Sequence, residues 1–144
     1  MKLKNITSET PVNSLYRYQI EKIINLSIEW CFLNLGVRKW CPNITVDIVT
    51  EDIEFGAGWY LPYRHESEIG INLKCNTTIL DLIDTIIHEY THYLRPNFQK
   101  EYEKVSKEFT YDKNPLEIEA KQMARRHRKK CFTYVQNQIT NGRN

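Results

Sequence analysis

Across residues 14–35 the apolar residues Leu15, Tyr18, Ile20, Ile23, Ile24, Leu26, Ile28, Trp30, Phe32 and Leu33 recur mainly at helical spacing, and Gly36 stands where a helix C-cap belongs. The period then changes to two. Residues 44–50 alternate apolar and polar positions and are rich in β-branched side chains, which predicts a half-buried strand. Two more short strands are expected over residues 56–61 and 68–73, with Pro62 and the polar residues 64–67 turning between them. Gly56, Gly58 and Gly70 mark bulges or close approaches of another backbone. Helical spacing returns at Thr77 or Thr78 and runs to Leu94, where Pro96 stops it. A further helix is expected over residues 98–109. Asn114 then reads as an N-cap and Pro115 as the first residue of a last helix reaching about Val135. With no repeat, low-complexity tract or linker, the expectation is a single α+β domain over residues 1–144, with a small three-stranded, mostly antiparallel sheet.

Composition narrows the class. The chain has 144 residues, 41% hydrophobic and 26% charged, which suffices for one core without covalent staples. No run approaches the roughly 18 apolar residues of a membrane helix, and the N-terminus has no apolar signal region. A cytoplasmic protein with no membrane partner is therefore expected. In that setting Cys31, Cys41, Cys75 and Cys131, none at C-x-x-C spacing, read as buried free thiols. The net charge of +2 carries no message about partners, but its distribution does. Lys121, Arg125, Arg126, His127, Arg128, Lys129 and Lys130 crowd the last helix. They fit a solvated helix face, or phosphate contacts to a nucleic-acid partner, although no aromatic interleaving accompanies them.

Candidate chemistry centres on His88-Glu89-Tyr90-Thr91-His92, an H-E-x-x-H sequence. On a helix, His88 and His92 stand one turn apart on the same side, where two neutral imidazoles can ligate one tetrahedral Zn2+. Glu89 is displaced about 100° round the helix, so it reaches a metal-bound water rather than the metal, as a general base must. Ile79, Ile83, Ile86, Ile87, Tyr90 and Leu94 form one apolar stripe, and the histidines lie opposite its centre beside Asp81, Asp84 and Thr85. The helix is thus expected to bury one face and open the other to a cleft. A catalytic zinc needs a third protein ligand. The remaining histidines, His65 and His127, do not stand at the short H-E-x-x-H-x-x-G-x-x-H spacing, which leaves the carboxylates Glu117 and Glu119.

The chain resembles the gluzincin-type metallopeptidases, a group that includes the thermolysin family and the small intracellular enzymes that cleave phage repressors. They share H-E-x-x-H with a downstream E-x-x-A-[DN]-x-F-A frame, which Glu117-Ile118-Glu119-Ala120-Lys121-Gln122-Met123-Ala124 follows. Residues 111–120 also look like a Y-x-x-N-P-x-E-x-E-A signature of small uncharacterised phage and bacterial peptidases. The resemblance implies a minimal zincin-like fold, with zinc held by His88, His92 and Glu117, Glu89 as general base and acid, and a protein or peptide substrate. Lys121 departs from the frame, where these families often carry an Asp or Asn that supports a ligand histidine; Asp84 or Asp81 is the expected substitute. Glu117 is favoured over Glu119, which points further from an inward face read as Leu116, Ala120, Met123, His127, Cys131 and Tyr134. For the oxyanion, Tyr111 is the candidate donor and His127 the second. An extended substrate would pair with the strand at residues 57–60 or with that at 69–71. The expected function is zinc-dependent endopeptidase activity; the alternative is a nucleic-acid-associated or non-catalytic zinc-binding protein using the basic helix.

Overall fold

A computed structural model describes residues 2–52, 54 and 56–142, which form four α-helices and a three-stranded sheet. Helix α1 (Arg17–Leu35) leads to strand β1 (Asn43–Val49), then β2 (Gly58–Pro62) and β3 (Glu66–Asn72). Helices α2 (Ile79–Leu94), α3 (Phe98–Ser106) and α4 (Pro115–Thr140) follow. The α+β class expected from the sequence is therefore present.

Local chemistry sets the boundaries. Gly36 adopts φ +97° beyond α1, a left-handed turn that suits glycine. Thr78 and Asp81 cap α2 reciprocally, each side chain accepting the other's backbone N–H at 3.2 and 3.1 Å. The Asn114 side chain accepts from Leu116 N–H at 2.9 Å, with Pro115 at the first position of α4. Two helices differ from expectation in length. Helix α3 ends at Ser106 rather than near residue 109, and α4 continues past Val135 because buried Ile139 extends its apolar stripe.

The sheet is mixed rather than mostly antiparallel. Its order is β1-β3-β2: β3 pairs parallel with β1 and antiparallel with β2. The short turn between Pro62 and Glu66, closed by Tyr63 N–H donating to Glu66 C=O at 2.9 Å, forces the antiparallel pair. The longer connection after β1 carries the chain across the sheet, so β3 becomes the central strand. Its apolar residues show this, since Ile69 and Ile71 are fully buried whereas β1 alternates in burial.

Helix α2 is the hub, packed against α1, α4, β2 and β3. Ile79, Leu82, Ile83, Ile86, Ile87, Tyr90 and Tyr93 are completely buried, and each large apolar side chain contributes on the order of 1.5–3 kcal/mol by leaving water. The two tyrosines keep their hydroxyls satisfied. Tyr90 donates to Gly36 C=O, and Tyr93 donates to Cys41 C=O at 2.8 Å while accepting from Arg38 N–H at 2.9 Å. Cys31, Cys41 and Cys131 are buried free thiols as expected, and burial pushes the Cys131 thiol up to about 12; Cys75 is only half-buried. Among the described residues, no helix is long and apolar enough to cross a membrane.

Two buried asparagines hold the segment between β1 and β2. Asn72 Oδ1 accepts from Glu51 N–H at 3.0 Å, while Asn76 Nδ2 donates to the carbonyls of Ala57 and Asn72 at 3.1 and 2.7 Å. Asn76 Oδ1 then takes the Thr85 hydroxyl at 2.6 Å, which ties this segment to α2. The strand beyond it comes so close that a Cβ on Gly58 would lie 2.6 Å from Thr85 Cγ2 and 2.8 Å from Gly70 C=O. The Trp59 ring covers Gly70 in the same way, so both glycines mark close approach. Gly58→Ala is expected to lower unfolding stability by about 1–3 kcal/mol, because rigid backbone bounds the site, and chemical denaturation measures it.

Candidate metal centre

Helix α2 brings His88 and His92 to one side, their rings edge-to-face with centroids 5.0 Å apart. Helix α4 crosses them at its first turn, and Glu117 Oε1 lies 2.8 Å from His88 Nε2 and 2.9 Å from His92 Nε2. Small residues permit this approach, since Ala120 and Ala124, one and two turns further along α4, are completely buried. The three ligand atoms lie within 4.8 Å of one another, a His2Glu group that could hold a metal ion. Ligand atoms about 2.0–2.1 Å from a tetrahedral metal stand roughly 3.3 Å apart, so the group fits an ion after opening by about half an ångström. Glu119 is turned away to the surface, where its carboxylate takes Arg95 Nη2 at 2.6 Å.

The centre is covered rather than open. Side-chain exposure is 12% at His88, 8% at Glu89, 6% at His92 and 7% at Glu117. Of the histidine face expected to open to a cleft, the His88 side does so, lining a cavity with Asp81, Asp84 and Thr85, whereas α3 packs over His92. Phe98 lies on the His92 ring with centroids 4.6 Å apart, and Tyr102 donates its hydroxyl to Glu117 Oε2 at 2.6 Å. Sequence reasoning missed both residues. Their only local signal is aromatic spacing one turn apart in a short polar helix, which does not point to a metal.

Electrostatics follow from these contacts. Burial alone would raise the Glu117 carboxyl, but hydrogen bonds from His88, His92 and Tyr102 outweigh it and hold the group far below the usual carboxylate range. Burial would lower His88, yet its hydrogen bond to Glu117 and the nearby charges of Glu89, Glu117 and Asp84 raise it. Glu89 is different. Burial raises its carboxyl against the pull of His88 and His92, and its Oε2 is a buried oxygen with no hydrogen-bond partner. Its Oε1 stands 3.9 Å from His88 Nε2. An orphaned carboxylate oxygen beside three potential ligands is a place for a polar guest.

Two cavities meet at the centre. One of about 650 Å3 runs past His88 and Glu89 between residues 54 and 56–58 and α4; the other, about 280 Å3, lies under α3 against His92 and Glu117. Gly58, Glu89 and Tyr111 border both. Burial together with the Glu117 and Glu89 charges pushes the Tyr111 hydroxyl up to about 12, so it remains a proton donor at neutral pH.

Other expected residues lie elsewhere. His127 packs on Trp30 of α1, centroids 5.7 Å apart, and His65 is exposed in the β2–β3 turn. Asp81 caps α2, and Asp84 receives Arg128 Nη1 at 3.2 Å. Neither aspartate hydrogen-bonds a ligand histidine among the described residues. The buried face of α4 runs through Leu116, Glu117, Ala120, Ala124, Cys131, Val135 and Ile139, which leaves Met123, His127 and Tyr134 at its margin. Of the two candidate edges, β3 is occupied on both sides, whereas β2 pairs only with β3 among the described residues.

What the fold and centre define is an α+β chain with a buried His2Glu group able to hold a metal ion. The chain matches no family model, no curated protein and no solved structure. Tyr102→Phe removes one hydrogen bond from Glu117 and should weaken divalent-metal binding roughly tenfold, read by chelator competition; Glu117→Gln should weaken it further.

Proposed function

We propose that this protein is a zinc-dependent endopeptidase in which His88, His92 and Glu117 hold the metal. The observation that carries the reading is the buried, unpartnered Oε2 of Glu89 beside the His2Glu group. A donor set of two imidazoles and one carboxylate suits zinc and leaves a fourth position open. Zinc, when bound there, supplies Lewis acidity to a water molecule and to the scissile carbonyl.

The chain's own residues supply the rest. Glu89 takes a proton from the attacking water and passes it to the leaving amine; its raised affinity for protons, set by burial, suits it to both tasks. Tyr111 borders both cavities and stays protonated, which fits it to donate to the developing oxyanion. Tyr102 keeps Glu117 in place from behind. The free edge of β2 passes Glu89 at Gly58, and an extended peptide added there would bring its carbonyl to the centre. Water is the nucleophile, so no covalent intermediate forms.

A nucleic-acid role for α4 has less support. Lys121, Arg125 and Arg128 turn into the larger cavity and Arg128 is paired with Asp84, so the basic run is divided rather than gathered into one outer surface.

Purified protein is expected to carry one zinc per chain, measured by elemental analysis, and His88→Ala to lose it. Glu89→Gln should keep the zinc while hydrolysis of an unstructured protein such as casein falls at least a hundredfold. Protein that binds no zinc on reconstitution overturns the reading.

A further inference from the structure

We propose that the larger cavity contains a carboxylate-binding subsite in which Arg125 receives an acidic group of the peptide substrate; this rests on the hydrolytic reading above. Three cations of α4 face that cavity: Lys121, Arg125 and Arg128, at successive turns on one side of the helix. Two are already engaged. Arg128 Nη1 lies 3.2 Å from Asp84 Oδ2, and Lys121 Nζ lies 3.7 Å from Asp112 Oδ1 and 4.8 Å above the Tyr111 ring. Arg125 has no carboxylate within ion-pair distance among the described residues. Its charge is felt across the cavity at Asp84, but Asp84 belongs to Arg128.

The other acids do not cancel it. Asp81 accepts the Thr78 N–H, Glu89 stands beside His88, and neither these nor Glu54 forms an ion pair with Arg125 among the described residues. The cavity therefore presents one uncommitted guanidinium, the side chain best suited to bidentate recognition of a carboxylate. Its reach is right as well. Arg125 stands eight residues beyond Glu117, about 12 Å along the helix, and helical side chains lean toward the N-terminus, here the metal end. An extended peptide advances about 3.3 Å per residue, so Arg125 reads a position two or three residues from the scissile bond.

The test uses zinc-loaded protein and three short peptide hydroxamates, whose metal-binding group anchors them at the centre. One carries Glu at the third position with an amidated C-terminus, one Gln with the same amide, and one Gln with a free C-terminus. Calorimetric Kd values are the readout. The Glu probe or the free-acid probe should bind roughly tenfold tighter than the neutral one, the size of one charge-assisted hydrogen bond, and which of them gains identifies a side-chain or terminal carboxylate. Arg125→Glu should abolish the preference. Arg126→Glu, the same charge change outside the cavity, should keep it. Equal binding by all three probes, or a preference that survives Arg125→Glu, overturns the subsite and leaves hydrolysis standing. No binding by any probe overturns both readings. A single-stranded oligonucleotide that displaces the acidic probe, and whose binding Arg125→Glu alone removes, assigns the stripe to phosphate and overturns a peptide occupant.

Discussion

One carboxylate oxygen shared by two imidazoles organises this molecule. Glu117 Oε1 meets His88 and His92 at 2.8 and 2.9 Å, with the side chains of all three at least 88% buried. A carboxylate removed from water is costly unless its lone pairs are used, so the surroundings must deliver donors with accuracy. They do so from two other helices: two imidazoles on α2, and the Tyr102 hydroxyl on α3 at the second oxygen. Position along α4 helps too. Glu117 is the third residue of that helix, where the unpaired N–H groups and the dipole favour an anion. The alanines at 120 and 124 then become structural necessities, since a larger side chain there would push α4 off α2 and break the shared contact.

The parts of this arrangement that were legible in the sequence are those governed by local periodicity. The H-E-x-x-H turn, the apolar stripe from Ile79 to Tyr90, the Asn114 cap and the choice of Glu117 over Glu119 each follow from spacing within a single helix. What depends on other elements was not legible. Nothing in residues 98–106 announces that Phe98 and Tyr102 will roof the histidines, because that role exists only once the turn at Arg95–Asn97 has folded α3 back. The parallel pairing of β1 with β3 is likewise a contact between strands distant in the sequence. On α4 the expected inward residues Leu116, Ala120 and Cys131 are buried, while Met123, His127 and Tyr134 are partly so, because a helix of 26 residues meets different neighbours along its length: α2 early, then α1 through Trp30 and Glu29.

The same distinction explains the charges. As a string, residues 121–130 are simply basic, whereas on the helix they divide. Lys121, Arg125 and Arg128 line the larger cavity, while Arg126, Lys129 and Lys130 are exposed outside it. An anion-holding centre and a cationic wall thus come from one helix because its first turn offers unpaired N–H groups and its middle offers side chains at successive turns. Buried His88, Glu89 and Glu117 stand where dielectric screening is weak, whereas the three cations line a wide cavity where solvent screens charge more strongly.

That division also accounts for the two asparagines. A cavity between a helix and an irregular segment keeps its shape only if the segment is fastened, and Glu51, Asp52, Glu54, Gly56 and Ala57 lie outside the strands. Asn72 and Asn76 substitute for one, taking backbone groups at Glu51 and Ala57, and the Thr85 hydroxyl joins the clamp to α2 one turn before Glu89. Because Thr85 and Glu89 share α2, and Ala57 adjoins Gly58, this clamp holds Glu89 beside the Gly58 edge. Glu89 and the Gly58 edge are thus held in register by a side-chain amide as well as by the sheet, so the centre keeps its shape across an irregular segment.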